Sequence, residues 1–319
     1  MRDMNPHPSL CLVVLFSILC LTATANVSPK GQRVFTCGHS FHVFVYRMLA
    51  EAARAAGIED HQMVGLSAIG GSRVIQHWEV PDEKNKAKAA LRAGQVDVLT
   101  LSPIWLPDEG IENFIRLGVQ QNPNIRVLVQ EFWLPNDTYE PIYPLDVRKG
   151  VNHNETDLAD LEKKQAQYFR DLSEYVGTIN KKLGSNVATV VPVGQAVLAL
   201  RKRLAVGQAP GLKMQWDLFR DSWGHAQPPI MVLSTYCHFA VIYRRSPLGL
   251  PVPKELSQYR RITSDVRLRK LGWRPSPDDL ANAVALTESE QQQLNRLLQE
   301  IAWTTVTSTI HHAVAEAKP

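Results

Sequence analysis

The chain has 319 residues, of which 45% are hydrophobic, 21% charged and 8% aromatic, and its formal net charge is +4. That balance excludes a disordered, collagen-like or coiled-coil chain and fits a globular protein. The weak positive bias is spread along the length. No basic stretch is interleaved with aromatics, which argues against nucleic-acid binding.

The first 25 residues read as an address. Arg2 opens a short polar segment, and an apolar run from Leu10 to Leu21 follows. That run is too short to span a bilayer and has the length of a signal-peptide core. Ala23-Thr24-Ala25 supplies a small-x-small cleavage pattern, so the mature chain is expected to begin at Asn26. The expectation is an exported protein, periplasmic or extracellular, with no membrane span left after cleavage. Cys11 and Cys20 leave with the leader, so Cys37 and Cys237 remain as the one pair that could bridge.

Beyond the leader, short β-branched runs alternate with helical patterns. Val34–Cys37 reads as a first strand. The spacing of Val43, Tyr46, Leu49, Ala50 and Ala53 predicts a helix that stops at Gly57. Gln62–Leu66 is a second strand, and Lys84–Ala93 a helix ended by Gly94. Val96–Leu101 is a third strand, followed by a helix over Glu109–Gln121. Ile125–Gln130 is a fourth strand. A long helix over about Asp157–Leu183, ended by Gly184, leads to a fifth strand over Asn186–Val191. A further helix is predicted over Ile230–Tyr243. Thr287 and Glu290 form a capping box for a last helix ending near Trp303. The segment 131–156 is left as a long loop rich in Trp, Tyr, Asn and Pro. No helix is predicted between strands two and three other than Lys84–Ala93, nor directly after strand five.

Strands alternating with helices predict a parallel sheet with helices on both faces. Ligand sites in such sheets lie beyond the carboxyl ends of the strands. Attention therefore falls on the segments after strands one, two and three, at 37–42, 67–73 and 101–107. In the first, Gly38-His39-Ser40 places a hydroxyl at a helix entrance, where free N–H groups favour negative charge. Ser40 could attack an acyl carbon there, or it could simply cap the helix. In the second, Gly70-Gly71 suits a tight turn or a close backbone approach to a ligand. Late in the chain, Asp221 and His225 lie four apart. An Asp near a His can orient the imidazole toward a serine, whereas Asp221 could equally pair with Arg220 or Arg201.

Taken together, these positions resemble the SGNH, or GDSL-like, family of secreted esterases and lipases, over about Val34 to Pro251. The resemblance implies a three-layer flavodoxin-like α/β fold with about five parallel strands. It implies a domain over residues 26–252 and a Pro-rich and helical extension over 253–319 packed on it. It implies a triad of Ser40, Asp221 and His225, and an oxyanion hole from the N–H groups of Ser40 and of Gly70 or Gly71. The family's Gly-x-Asn-Asp is absent, and Thr100-Leu101-Ser102-Pro103 stands in its place, so Ser102 is the candidate side-chain donor. The Asp–His spacing is one residue longer than in the family, with Gly224 inserted and Asp217 in reserve.

Cys37, His39, His42 and His225 lack the His-x-x-x-His and Cys-x-x-Cys spacings of zinc sites, so no metal and no cofactor is expected. His39, His42, His77, Trp78 and Trp133 follow strands and are candidates to line a substrate cleft, their aromatic rims suited to a sugar. The expected partner is a small-molecule or carbohydrate ester that loses a small acyl group. The competing reading is a non-catalytic binding protein on the same scaffold.

Overall fold

The computed structural model describes residues 29–139, 150–264 and 274–316. The leader over 1–25 lies outside the described residues, as do parts of the 131–156 loop and of the Pro-rich extension.

The chain runs β1 (Arg33–Gly38), α1 (Val45–Ala55), β2 (Gln62–Ala68), α2 (Val74–Trp78), α3 (Lys86–Arg92), β3 (Val98–Leu101), α4 (Glu109–Gln121) and β4 (Arg126–Gln130). It continues through α5 (Leu158–Leu183), β5 (Ala188–Val191), α6 (Val193–Ala205) and α7 (Pro228–Tyr243). The tail holds α8 (Lys254–Ser257), β6 (Arg260–Arg261), α9 (Pro277–Ala281), β7 (Val284–Ala285) and α10 (Glu288–Glu316). The five predicted strands form one parallel sheet in the order β2-β1-β3-β4-β5. That is the flavodoxin-like order, in which the chain reverses direction across the sheet beside β1 and β3. β1, β3 and β4 are buried on both faces and correspondingly read as near-continuous apolar runs. α1 and α7 pack together on one face, and α2, α3 and α4 on the other. The result is the three-layer α/β arrangement expected.

Local chemistry sets the long helices. Asp157 accepts N–H groups of Ala159 and Asp160 at the start of α5, and Gly184 closes it in the left-handed region. α7 is apolar on every side and is almost wholly buried, as such helices must be. α10 packs on it: Tyr236 donates to Asn295 at 2.7 Å, and Leu294 and Leu298 join the core. No helix among the described residues is long and apolar enough to cross a membrane.

The structure departs from the sequence reading at several helices and decides the open question of the cysteine pair. The last helix does not stop near Trp303 but runs to Glu316, because no Gly or Pro interrupts the chain before Pro319. Four helices went unpredicted. α2, α8 and α9 have only four or five residues, too few to show a period, and α6 carries apolar residues on most sides near its start. Finally, Cys37 and Cys237 are both free and buried, so they form no bridge. Burial pushes both thiols up.

Burial holds five histidines, four of them fully buried and His61 half-buried, below their ordinary pKa. Burial lowers His61, His77 and His238 to about 4, and burial followed by the charges of His77 and His225 lowers His39 to about 3. His42 is held well below its ordinary value by burial and by His238. A folded pKa below the unfolded one means stability is lost as pH falls through the interval between them. Two buried carboxyls act the other way, since burial raises Asp108 to about 6 and Glu131 to about 8. Five groups outweigh two, so the urea midpoint should fall as pH drops from about 6.5 to about 4. A midpoint flat or rising over that range would mean these imidazoles are not buried neutral.

Candidate active site

β1 ends at Gly38, and a Cβ there would come within 2.7 Å of the His42 ring. Glycine is therefore required for the chain to turn at once into the tight segment 39–44, where the N–H groups of His42 and Val43 both reach the His39 carbonyl. Ser40 rides on that turn. It does not take up the capping role: α1 is entered through Phe44, with no side-chain cap. Instead the Ser40 hydroxyl donates to His225 Nε2 at 2.8 Å.

The other imidazole nitrogen, Nδ1, donates to Asp221, at 2.8 Å to Oδ2 and 3.0 Å to Oδ1. Asp221 Oδ1 also accepts the N–H groups of Trp223 and His225, at 3.1 and 3.2 Å. The segment thus folds back on its own carboxylate as an Asx-type turn. Gly224, at φ +90°, lets the chain between Asp221 and His225 turn in a conformation closed to other side chains. Burial pushes the Asp221 carboxyl up, but the His225 hydrogen bond and charge and the two N–H groups more than offset it and hold it below its ordinary value. Arg220 lies 3.8 Å away, on the solvent side. The reserve candidate Asp217 is elsewhere, accepting the N–H groups of Lys213 and Met214.

Ser40 and His225 open onto a cavity of about 220 Å³, bordered on one side by Gly70 and Gly71. Its walls are Phe41, Ile104, Trp105, Phe132, Pro135 and Trp223, with His39 beside them. These residues come from the loops after β1, β2, β3 and β4 and from the Asp–His turn, at the carboxyl ends of the strands. No Lys, Arg, Asp or Glu is among them. The backbone N–H groups of Ser40, Gly70 and Gly71 have no hydrogen-bond partner among the described residues. Trp223 lies nearly parallel to the His225 ring, and its indole N–H has no acceptor there either.

Several expected site residues are placed elsewhere. His42 sits beneath the turn, donating from Nδ1 to Gln130 at 2.8 Å and accepting from Thr100 at 2.9 Å. It is a support and does not line the cavity. His77 is buried between two serines: Ser67 donates to Nδ1 at 2.7 Å, and Nε2–H donates to Ser72 at 2.8 Å. Ser72 in turn donates to the Ile69 carbonyl at 3.0 Å, so His77 shapes the Gly70-Gly71 turn from behind. Trp78 packs edge-on against Phe114 under Lys88, away from the cavity. Trp133 is buried, its indole donating to the Gly224 carbonyl at 2.7 Å. Ser102 is buried and lies 3.2 Å from His39 Nε2. His39 Nδ1 accepts the Phe41 N–H, so Nε2–H is the donor to Ser102. Of the five proposed lining residues only His39 borders the cavity. Phe132, the neighbour of Trp133 at the rim after strand four, does line it, whereas Phe41, Ile104, Trp105, Pro135 and Trp223 were missed. Their only sequence signal was position after a strand, which apolar packing residues share.

No family model matches the chain. No curated protein matches it either. Among solved structures, a DUF4886 family protein from Bacteroides uniformis is similar over 87% of this chain and 95% of its own, at 13% identity and a TM-score of 0.46. A proposed SGNH hydrolase from Slackia heliotrinireducens is similar over 66% of this chain and 99% of its own, at 14% identity and a TM-score of 0.39. The geometry at Ser40, and not these likenesses, carries the functional reading.

Proposed function

We propose that the protein is an SGNH-type serine hydrolase that cleaves an ester through a covalent acyl-enzyme. The observation that carries this reading is the unbroken relay from Ser40 Oγ through His225 to Asp221, with both links at 2.8 Å. Ser40 attacks the ester carbonyl carbon while its proton passes to His225 Nε2. The oxyanion forms against the free N–H groups of Ser40 and of Gly70 or Gly71. Collapse expels the alcohol, which takes the proton from His225. Water then attacks the acyl-enzyme, with His225 as base and Asp221 holding the imidazole throughout. The N-terminal run and its small-x-small pattern support export with removal of residues 1–25.

The lining favours a small, uncharged, apolar acyl group. The sugar-stacking rim expected from His77, Trp78 and Trp133 has no support, since none of them borders the cavity. An ester whose acyl group carries a carboxylate should be cleaved about 100-fold less efficiently than its neutral isostere, because no cation among the described residues lines the cavity to pair with it. Equal kcat/KM for the two would place the acyl group outside this cavity.

Labelling with a fluorophosphonate and mapping the modified serine tests the central assignment; adduct on Ser40 is expected. A second reading is a ligand-binding protein on this scaffold, favoured by Ser102 facing His39, which takes the expected side-chain donor away from an oxyanion at Ser40. Absence of both label and ester turnover would establish that reading instead.

A further inference from the structure

The Asp–His turn is gripped from behind by a run of hydrogen bonds that leaves none of its carbonyls out. The carbonyl oxygen of Asp221 accepts from His153 Nε2 at 3.1 Å, and that of Ser222 from the Val151 N–H at 3.3 Å. The carbonyl of Trp223 accepts from the Asn136 N–H at 3.1 Å, and that of Gly224 from the Trp133 indole at 2.7 Å. Four successive carbonyls are therefore directed to the segments on either side of 140–149. The Asp221 carboxylate is left to His225 Nδ1 and to the N–H groups of Trp223 and His225.

His153 is the best-anchored of these donors. Its ring is fully buried, 4.2 Å from the Phe219 ring and 4.9 Å from Trp216. Both ring nitrogens face oxygens that can only accept: Nε2 faces the Asp221 carbonyl, and Nδ1 lies 2.9 Å from Asp137 Oδ2. Asp137 is held in turn by Arg201 from α6, at 2.5 and 3.0 Å, and by the Thr156 hydroxyl. Burial pushes the Asp137 carboxyl up, but the charges and hydrogen bonds of Arg201 and His153 outweigh it and hold it far below the usual range. A buried ion pair is weak evidence for stability, and its best-attested use is to fix one register. Here it ties a helix of the scaffold to the backbone atom next to the carboxylate that orients His225.

We propose that His153, backed by Asp137 and Arg201, is a positioning residue: a second His–Asp pair that orients the first by holding the Asp221 backbone. The inference rests on the assignment of Ser40, His225 and Asp221 made above. It gives Trp133, Asn136, Asp137, Val151 and His153 a task that composition did not reveal, and it accounts for how a turn one residue longer than the family's still delivers its carboxylate.

The test uses the full chain with ¹⁵N-labelled histidine and 4-nitrophenyl acetate as probe. In the wild type, His225 should be held as the Nδ1–H tautomer. His153→Phe keeps a ring against Phe219 and Trp216 and removes both donors. Its kcat should fall about 100-fold with KM within about twofold, the effect of a small misplacement of the reacting groups. His225 should then show a mixture of tautomers. Trp133→Phe removes only the donor to Gly224 and should shift both readouts in the same direction by less; it decides the matter alone if His153→Phe does not fold. An unchanged kcat, or a lower kcat with His225 still wholly Nδ1–H, overturns the proposal, as does a wild type without that tautomer. A wild type that neither turns over ester nor labels at Ser40, but whose His225 tautomer responds to His153→Phe, sinks the hydrolase reading and leaves the positioning role standing.

Discussion

Ser40→Ala should abolish ester turnover, with kcat lower by about 10⁶-fold, while the urea midpoint stays close to that of the wild type. The magnitude is that of removing the nucleophile from a Ser–His–Asp unit, where the members act together and the loss of one forfeits nearly the whole effect. The fold should tolerate the change. The Ser40 side chain does not cap α1, and among the described residues its hydrogen-bond partner is His225. Steady-state kinetics on 4-nitrophenyl acetate, paired with denaturation, separates the two consequences. A variant that retains more than about a tenth of the wild-type kcat would exclude Ser40 as the nucleophile, whatever its distance to the imidazole. The residual activity is informative too, because the N–H groups of Gly70 and Gly71 remain in place to stabilise attack by water.

Asp221→Asn should lower kcat by about 10⁴-fold and leave KM little changed. A carboxylate only accepts, so it holds His225 with its proton on Nδ1 and its lone pair on Nε2 toward Ser40. A carboxamide can donate, which favours the opposite tautomer and leaves Ser40 facing an N–H. The two backbone N–H groups that Asp221 also accepts are served equally by the amide oxygen, so the turn should persist. The matching control is Asp217→Asn. That residue accepts N–H groups of Lys213 and Met214 and makes no contact with His225, so its kcat should be unaltered. Kinetics on both variants decides the pairing. A strong loss in the second with none in the first would assign the orienting role to Asp217 and contradict the observed geometry.

The sequence by itself determined the sheet. Five apolar runs were separated by helical patterns closed by Gly57, Gly94 and Gly184, and a parallel α/β layering follows from that alternation. It also determined the core of the candidate site. Gly38 before Ser40 marks a sharp turn after the first strand, and Gly224 between Asp221 and His225 marks a local kink; both are properties of the chain over a few residues. What surrounds that core was decided only by the tertiary structure. His42, His77 and Trp133 occupy positions after strands, as lining residues do, yet each finds a buried partner from a distant segment. An imidazole or indole turns inward or outward according to where an acceptor waits, and no local pattern records that. Asp108 caps α2 by accepting the N–H groups of Val74 and Ile75 from 34 and 33 residues away, which is why so short a helix left no trace in the sequence. The pairing of Asp137 with Arg201, and of His153 with the Asp221 carbonyl, is of the same kind. Such contacts couple segments that become neighbours only when the sheet has closed its order, so the support of the candidate site is a property of the fold while its proposed reactive residues were legible in the chain.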